Sequence, residues 1–134
     1  MTDRALGTKH LEMLQAAISR LAGNAFLIKG WSIALATAVA GFAVKDGASR
    51  VALVGIVPIA LFWCLDSYYL SLERAFRALF DSTRAQVLAD LPPTLDMTPS
   101  LAPLAVVANA FRPAVILVHL PAQILLLAAA FAGS

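Results

Sequence analysis

Few side chains in this 134-residue chain could do chemistry, and their spacing is informative. Lys29 stands near the start of one long apolar run, and Asp66 stands near the end of the next. If the intervening turn is centred between Gly47 and Ala48, Lys29 lies eighteen residues before Gly47 and Asp66 lies eighteen after Ala48. The two charges are then level on neighbouring antiparallel helices. Lys29 to Lys45 spans about 24 Å of helix, less than the roughly 30 Å hydrocarbon core of a bilayer. The pair therefore falls inside the edge of that core, where a lone charge costs about 3 kcal/mol or more. It reads either as a latch that fixes the register of a helical hairpin or as an ion- or proton-sensitive gate.

A second polar set lies near the C-terminus. Asn109, Arg112, His119 and Gln123 fall at spacings of three, seven and four, which with Ile116 between them places all four on one face of a helix. Polar groups deep in a span face protein or water rather than lipid. This face is either an interhelical hydrogen-bonded stripe or, in several copies, the lining of an aqueous path. Pro121 leaves the carbonyl of Leu117 without its helical partner, within reach of Gln123. Small residues form a third pattern: Ser32, Ala36 and Ala40 recur four apart, as do Thr37 and Gly41. Such faces let helices approach closely, within the hairpin or between copies of the chain.

No Ser/His/Asp set, level pair of carboxylates, phosphate loop or dinucleotide-binding glycine pattern is legible. His10 and Glu12 alone do not make a metal site. The single cysteine, Cys64, excludes an internal disulfide, and burial in a span beside Trp63 should keep it inert. The expectation is a chain that is not an enzyme and takes no metal or other cofactor.

The elements that position these residues follow from composition. Hydrophobic residues make up 60% of the chain and charged residues 13%, about half of the roughly 25% usual in soluble domains. The surplus apolar surface needs lipid to cover it. A net charge of +2 without a basic cluster argues against a nucleic-acid partner. The chain reads as one all-α membrane domain. Residues 4–24 are an amphipathic helix with Leu11, Leu14, Ile18 and Leu21 on one face. Residues 25–44 and 51–70 are the first two spans, joined by a short polar turn, and Pro58 predicts a kink in the second. Leu72, Phe76, Leu79, Phe80, Thr83 and Val87 carry the stripe onward through 71–90, so the hairpin should protrude as a coiled-coil-like stalk. Pro92 and Pro93 open a loop over 91–99. Thr98 should cap a short interfacial helix over 100–111, and 113–132 is the third span.

The basic residues set an orientation. Arg4, Lys9, Arg20, Lys29, Arg74, Arg77, Arg84 and Arg112 flank one side, against Lys45 and Arg50 on the other. This places the N-terminus and the 71–112 segment in the cytoplasm. Trp31, Trp63, Tyr68 and Tyr69 fall at the same inner end, as an aromatic belt or as ordinary packing residues.

Two stretches carry a resemblance. Lys29-Gly30-Trp31-Ser32 begins the first span, and Phe62, Trp63, Leu65, Asp66, Tyr68, Tyr69, Leu70, Glu73 and Arg74 close the second. This pairing resembles that of a group of small bacterial inner-membrane proteins without assigned catalytic residues. The group is in turn similar in layout to small multi-pass proteins regarded as membrane-disrupting effectors of antiphage defence, such as the SLATT type. The resemblance implies the fold more than any activity. Because three spans bury little by themselves, the chain is expected to be homo-oligomeric in the bacterial inner membrane and to form or gate a pore, as a membrane-disrupting defence effector would. The competing expectation is a non-conducting accessory or scaffold subunit that docks a cytoplasmic protein through its stalk, using Glu73, Arg74, Arg77, Asp81 and Arg84.

Overall fold

The computed structural model describes residues 3–132, which are all-helical outside their turns and loops. Four helices follow in order: α1 (Asp3–Asp46), α2 (Ser49–Leu88), α3 (Pro103–Ala110) and α4 (Pro113–Ala132). Three of them, α1, α2 and α4, are long and apolar enough to cross a membrane.

The amphipathic segment and the first span form one unbroken helix, as do the second span and its extension. No residue between 4 and 44 forces a break, and α2 continues through Pro58. Only Gly47 and Ala48 separate α1 from α2. Gly47 takes a left-handed φ of 63°, and the Ala48 N–H reaches back 2.9 Å to the Ala43 carbonyl, closing α1 with a Schellman motif. The tight turn fixes the register of everything beyond it. Lys29 meets Asp66, Gly55 faces Val39 and Gly7 faces Val87, each pair equidistant from the turn to within one residue.

The packing is small side chains inside and large ones outside. The core of the spanning region is Ala36, Ala40, Ala43, Ala52, Ile59, Ala122, Leu126, Ala129 and Ala130. Phe26, Trp31, Phe42, Val54, Leu61, Leu117 and Phe131 point outward. A water-soluble bundle buries its large apolar groups, because their transfer from water drives folding. Helices in lipid gain nothing from that transfer and associate by close van der Waals contact, which alanine permits. In the stalk the pattern reverses: Leu14 and Ile18 are buried against α2.

The loop after α2 differs from the sequence reading. The helix stops at Leu88, Asp90 adopts a positive φ of 52°, and the chain folds back on the stalk. There the Gln86 side chain bonds Thr94, and Pro93 lies against Gly7. Thr98 does not cap a helix. Its N–H donates to the Asp96 carboxylate at 2.8 Å. That bond and a second from the Thr98 side chain, with lesser help from nearby His10 and the Met97 N–H, hold the Asp96 carboxyl below its usual range. The helix begins instead at Pro103, because Ala102 before it is held extended, at φ −85° and ψ 128°. Proline at the first helical position sacrifices no bond. The helix expected over 100–111 is thus the shorter α3.

Gly7 is the tightest point of the stalk, since an added Cβ would collide with Val87 Cγ2 and press on Pro93. Gly7→Ala is expected to lower stability by about 1–3 kcal/mol. Gly23→Ala, with open space around its Cβ, should be neutral or stabilising. Unfolding midpoints of the two variants in detergent check this.

Candidate functional site: a buried carboxylate clamped by two helices

Asp66 is fully buried, and both of its oxygens are engaged. Oδ1 accepts from Lys29 Nζ of α1 at 2.6 Å. Oδ2 lies 3.1 Å from His119 Nε2 of α4. His119 is itself fully buried, and its Nδ1 is 3.1 Å from Ser32 Oγ, one turn along α1 from Lys29. One carboxylate therefore ties all three long helices together at one level. Where the carboxylate is ionised it can only accept, so the ring proton then sits on Nε2 and Nδ1 of the neutral ring accepts from the Ser32 hydroxyl. Every polar atom of this set has a partner. Lys29, with 22% of its side chain exposed, is the one member that reaches the surface.

Ser32, His119 and Asp66 form a Ser/His/Asp set that the sequence reading did not anticipate. It is not arranged for nucleophilic attack. Ser32 Oγ has no exposed surface, and Ser32 lies inside an unbroken helix, whose neighbouring backbone N–H groups are committed to helical bonds and cannot hold an oxyanion. The set is suited to holding helices in register and to passing a proton between Asp66 and His119.

A ladder of polar side chains continues along α2. Trp63 stacks on His119, with ring centroids 6.2 Å apart, and its indole N–H donates 2.8 Å to the Ala110 carbonyl at the end of α3. Helix ends leave such carbonyls without an internal partner. Ser67 Oγ donates to the Val106 carbonyl, and Ser71 Oγ donates to the Ser67 carbonyl at 2.8 Å. Asn109 Nδ2 donates to Ser71 Oγ at 2.7 Å, while Arg74 and Arg112 both donate to Asn109 Oδ1 at 3.1 Å. The ladder pins α3 to α2. Sequence reasoning missed Ser67, Ser71 and Arg74 as members, although positions 63, 66, 67, 71 and 74 recur at helical steps.

The four polar residues expected on one helical face are divided. Asn109 closes α3, Arg112 lies in the junction, and only His119 and Gln123 belong to α4. The turn at Phe111–Arg112 interrupts the helix and rotates the face. His119 points into the subunit, so it does not line a path between copies in this arrangement. Gln123 Nε2 reaches the Ile56 carbonyl of α2 at 3.2 Å, not Leu117, and its Oε1 is buried without a partner.

The two small-residue stripes have separate places. Ser32, Ala36 and Ala40 are buried between the helices. Thr37 and Gly41 are exposed and line an apolar groove of about 560 Å³ between α1 and α4. Of the four aromatics, Trp31 and Tyr68 face outward, Tyr69 is half-buried and Trp63 turns inward. Cys64 is exposed, not buried. Among the described residues no cluster of His, Cys, Asp and Glu has the geometry of a metal site.

Replacing Lys29 by Met strands a buried carboxylate, which costs about 3–5 kcal/mol. Lys29→Met/Asp66→Leu is expected to be more stable than Lys29→Met alone. Denaturant unfolding in micelles measures the difference. Comparison of the chain with protein-family models, curated proteins and solved structures finds no match.

Proposed function

We propose that this chain is an integral protein of a bacterial inner membrane whose self-associated form gates the passage of protons or small ions, with the Lys29–Asp66–His119–Ser32 cluster as the latch of the closed state. One observation carries the reading: a fully buried carboxylate holds a lysine from α1 and a histidine from α4 at once. A register pin needs a single pair. Adding a titratable ring on the third helix makes the arrangement of α4 depend on the charge state of the cluster. Intramembrane ionisable groups of this kind mark ion and proton pathways.

The surrounding elements fit that role. The basic residues favour a cytoplasmic N-terminus and stalk. The outward-facing Leu104, Val107 and Phe111 suit α3 to a position at the interface. The exposed groove bearing Thr37 and Gly41 offers a face on which another copy could pack closely. A membrane-disrupting defence effector is one setting in which such a gate would work. No step of the proposed function calls for a cofactor or a nucleophile.

A second reading rests on the stalk. Residues 3–24 of α1 and 71–88 of α2 extend well past the Lys29–Asp66 level and present an exposed polar face, including Arg77 bound to Glu73 at 2.7 Å. This face would dock a cytoplasmic protein if the chain were a non-conducting accessory subunit.

Asp66→Asn keeps the shape of the side chain but removes the charge that holds Lys29 and His119. In vesicles containing the assembled oligomer, the variant is expected to raise proton or ion leak several-fold over the parent. No leak from either protein, with assembly shown by cross-linking, would reject the gate and favour the scaffold.

A further inference from the structure

The junction between α2, α3 and α4 holds an unbalanced charge. Arg74 Nη1 and Arg112 Nε both donate to the same oxygen, Asn109 Oδ1, each at 3.1 Å. The two guanidinium groups are thus brought within a few ångströms of each other. Asn109 is nearly buried, and its amide is fixed by the bond to Ser71, so the oxygen that collects the two cations is held in place. Among the described residues no carboxylate answers them within 4.0 Å. Asp66 is taken by Lys29 and His119, Glu73 by Arg77, Glu12 by Lys9, and Asp90 lies nearest Arg4. Asp96 is engaged by Thr98, and Asp46 lies at the far turn. Neither Asp3 nor Asp81 comes within 4.0 Å of either arginine, and both arginines are exposed. Two like charges converging on a neutral amide repel each other unless an anion joins them.

Depth identifies the anion. Arg112 immediately precedes α4, whose twenty residues span about 30 Å, one hydrocarbon thickness. Arg74 stands four residues past residue 70, where the sequence pattern ends the second span, about 6 Å farther out. With α2 and α4 crossing a bilayer, both guanidinium groups would fall in its phosphate layer, which extends roughly 5–7 Å beyond the hydrocarbon on each side. The flanking surface is apolar: Leu104 and Val107 of α3 and Phe111 just after it point outward, ready to lie against acyl chains. Guanidinium forks match phosphate oxygens in pairs. With no acid beside them, they offer nothing to the amine of a zwitterionic headgroup.

We infer that Arg74 and Arg112, gathered by Asn109, bind the headgroup phosphate of an anionic phospholipid at the membrane surface. The lipid completes the junction by neutralising the pair and ties α3 to the interface. This site rests on the membrane-spanning placement of α2 and α4, not on ion conduction.

Native mass spectrometry of the full chain, released from micelles doped with phosphatidylglycerol, phosphatidylethanolamine or inorganic phosphate, tests the inference. The parent is expected to retain phosphatidylglycerol about tenfold better than phosphatidylethanolamine, and to do so in excess inorganic phosphate. Arg112→Gln and Arg74→Gln should each lose about tenfold of that retention, the scale set by one charge-assisted bond. Arg112→Lys should recover part of it, and Lys45→Gln at the opposite end of the spans should leave it unchanged. Helicity and melting temperature in the same micelles establish that each variant is folded, and Arg74→Lys serves where Arg74→Gln is not. Equal retention of the two lipids, retention unaffected in folded Arg112→Gln, or full displacement by inorganic phosphate would each overturn the site. Because the readout is binding, a positive result stands whether or not the protein conducts ions.

Discussion

A carboxylate buried between apolar helices has to be answered by other helices, and the structure is organised around that requirement. Asp66 cannot reach water, so its charge is balanced from α1 and its second oxygen is satisfied from α4. Three helices meet at this level because a missing partner would leave a polar or charged atom stranded in a low-dielectric interior. The alanine-rich seam on one side of the cluster supplies close contact but little directional information. The cluster supplies the direction. It fixes how far α4 slides along the hairpin and which face it turns inward.

The same logic runs down α2 toward the interface. Trp63 and Ser67 donate to carbonyls of α3, and Ser71 accepts from the Asn109 side chain near its end. The short helix is held by these bonds rather than by a large apolar core, since its own apolar residues point outward. At the outer end of the ladder the balance changes sign. Two arginines converge where none of the described carboxylates lies within 4.0 Å, and the proposed lipid headgroup would supply the missing charge.

Much of the hairpin could be read from the sequence, and the reason is geometric. Charges are scarce in the spans, so Lys29 and Asp66 stand out, and a tight turn at Gly47 lets residues be paired by counting. The placement of α4 could not be counted in this way. Residues 89–102 lie between it and the hairpin without a regular period, so nothing local says which of its faces meets Asp66. His119 therefore reads as a polar residue deep in a span but not as a partner of Asp66, and Ser32 reads as a small packing residue. The spacing of Asn109 and His119 suits one helix. The break at Phe111–Arg112 removes that phase relation, and the extended Ala102 delays the start of α3 past the apparent cap at Thr98.

The clamp on Asp66 can be measured directly in a lipid bilayer. Solid-state NMR recoupling between ¹⁵N-labelled lysine or histidine side chains and ¹³C-labelled aspartate carboxyls reports these distances, with Lys29→Gln and His119→Gln assigning the signals. A Nζ–Oδ1 contact of 2.6 Å places the Lys29 nitrogen about 3.5 Å from the Asp66 carboxyl carbon, with His119 Nε2 at a similar range. Strong dephasing of the buried carboxyl by both nitrogens is the predicted result. A carboxyl coupled to neither, or to lysine alone, would contradict a structure built on one aspartate held from both sides.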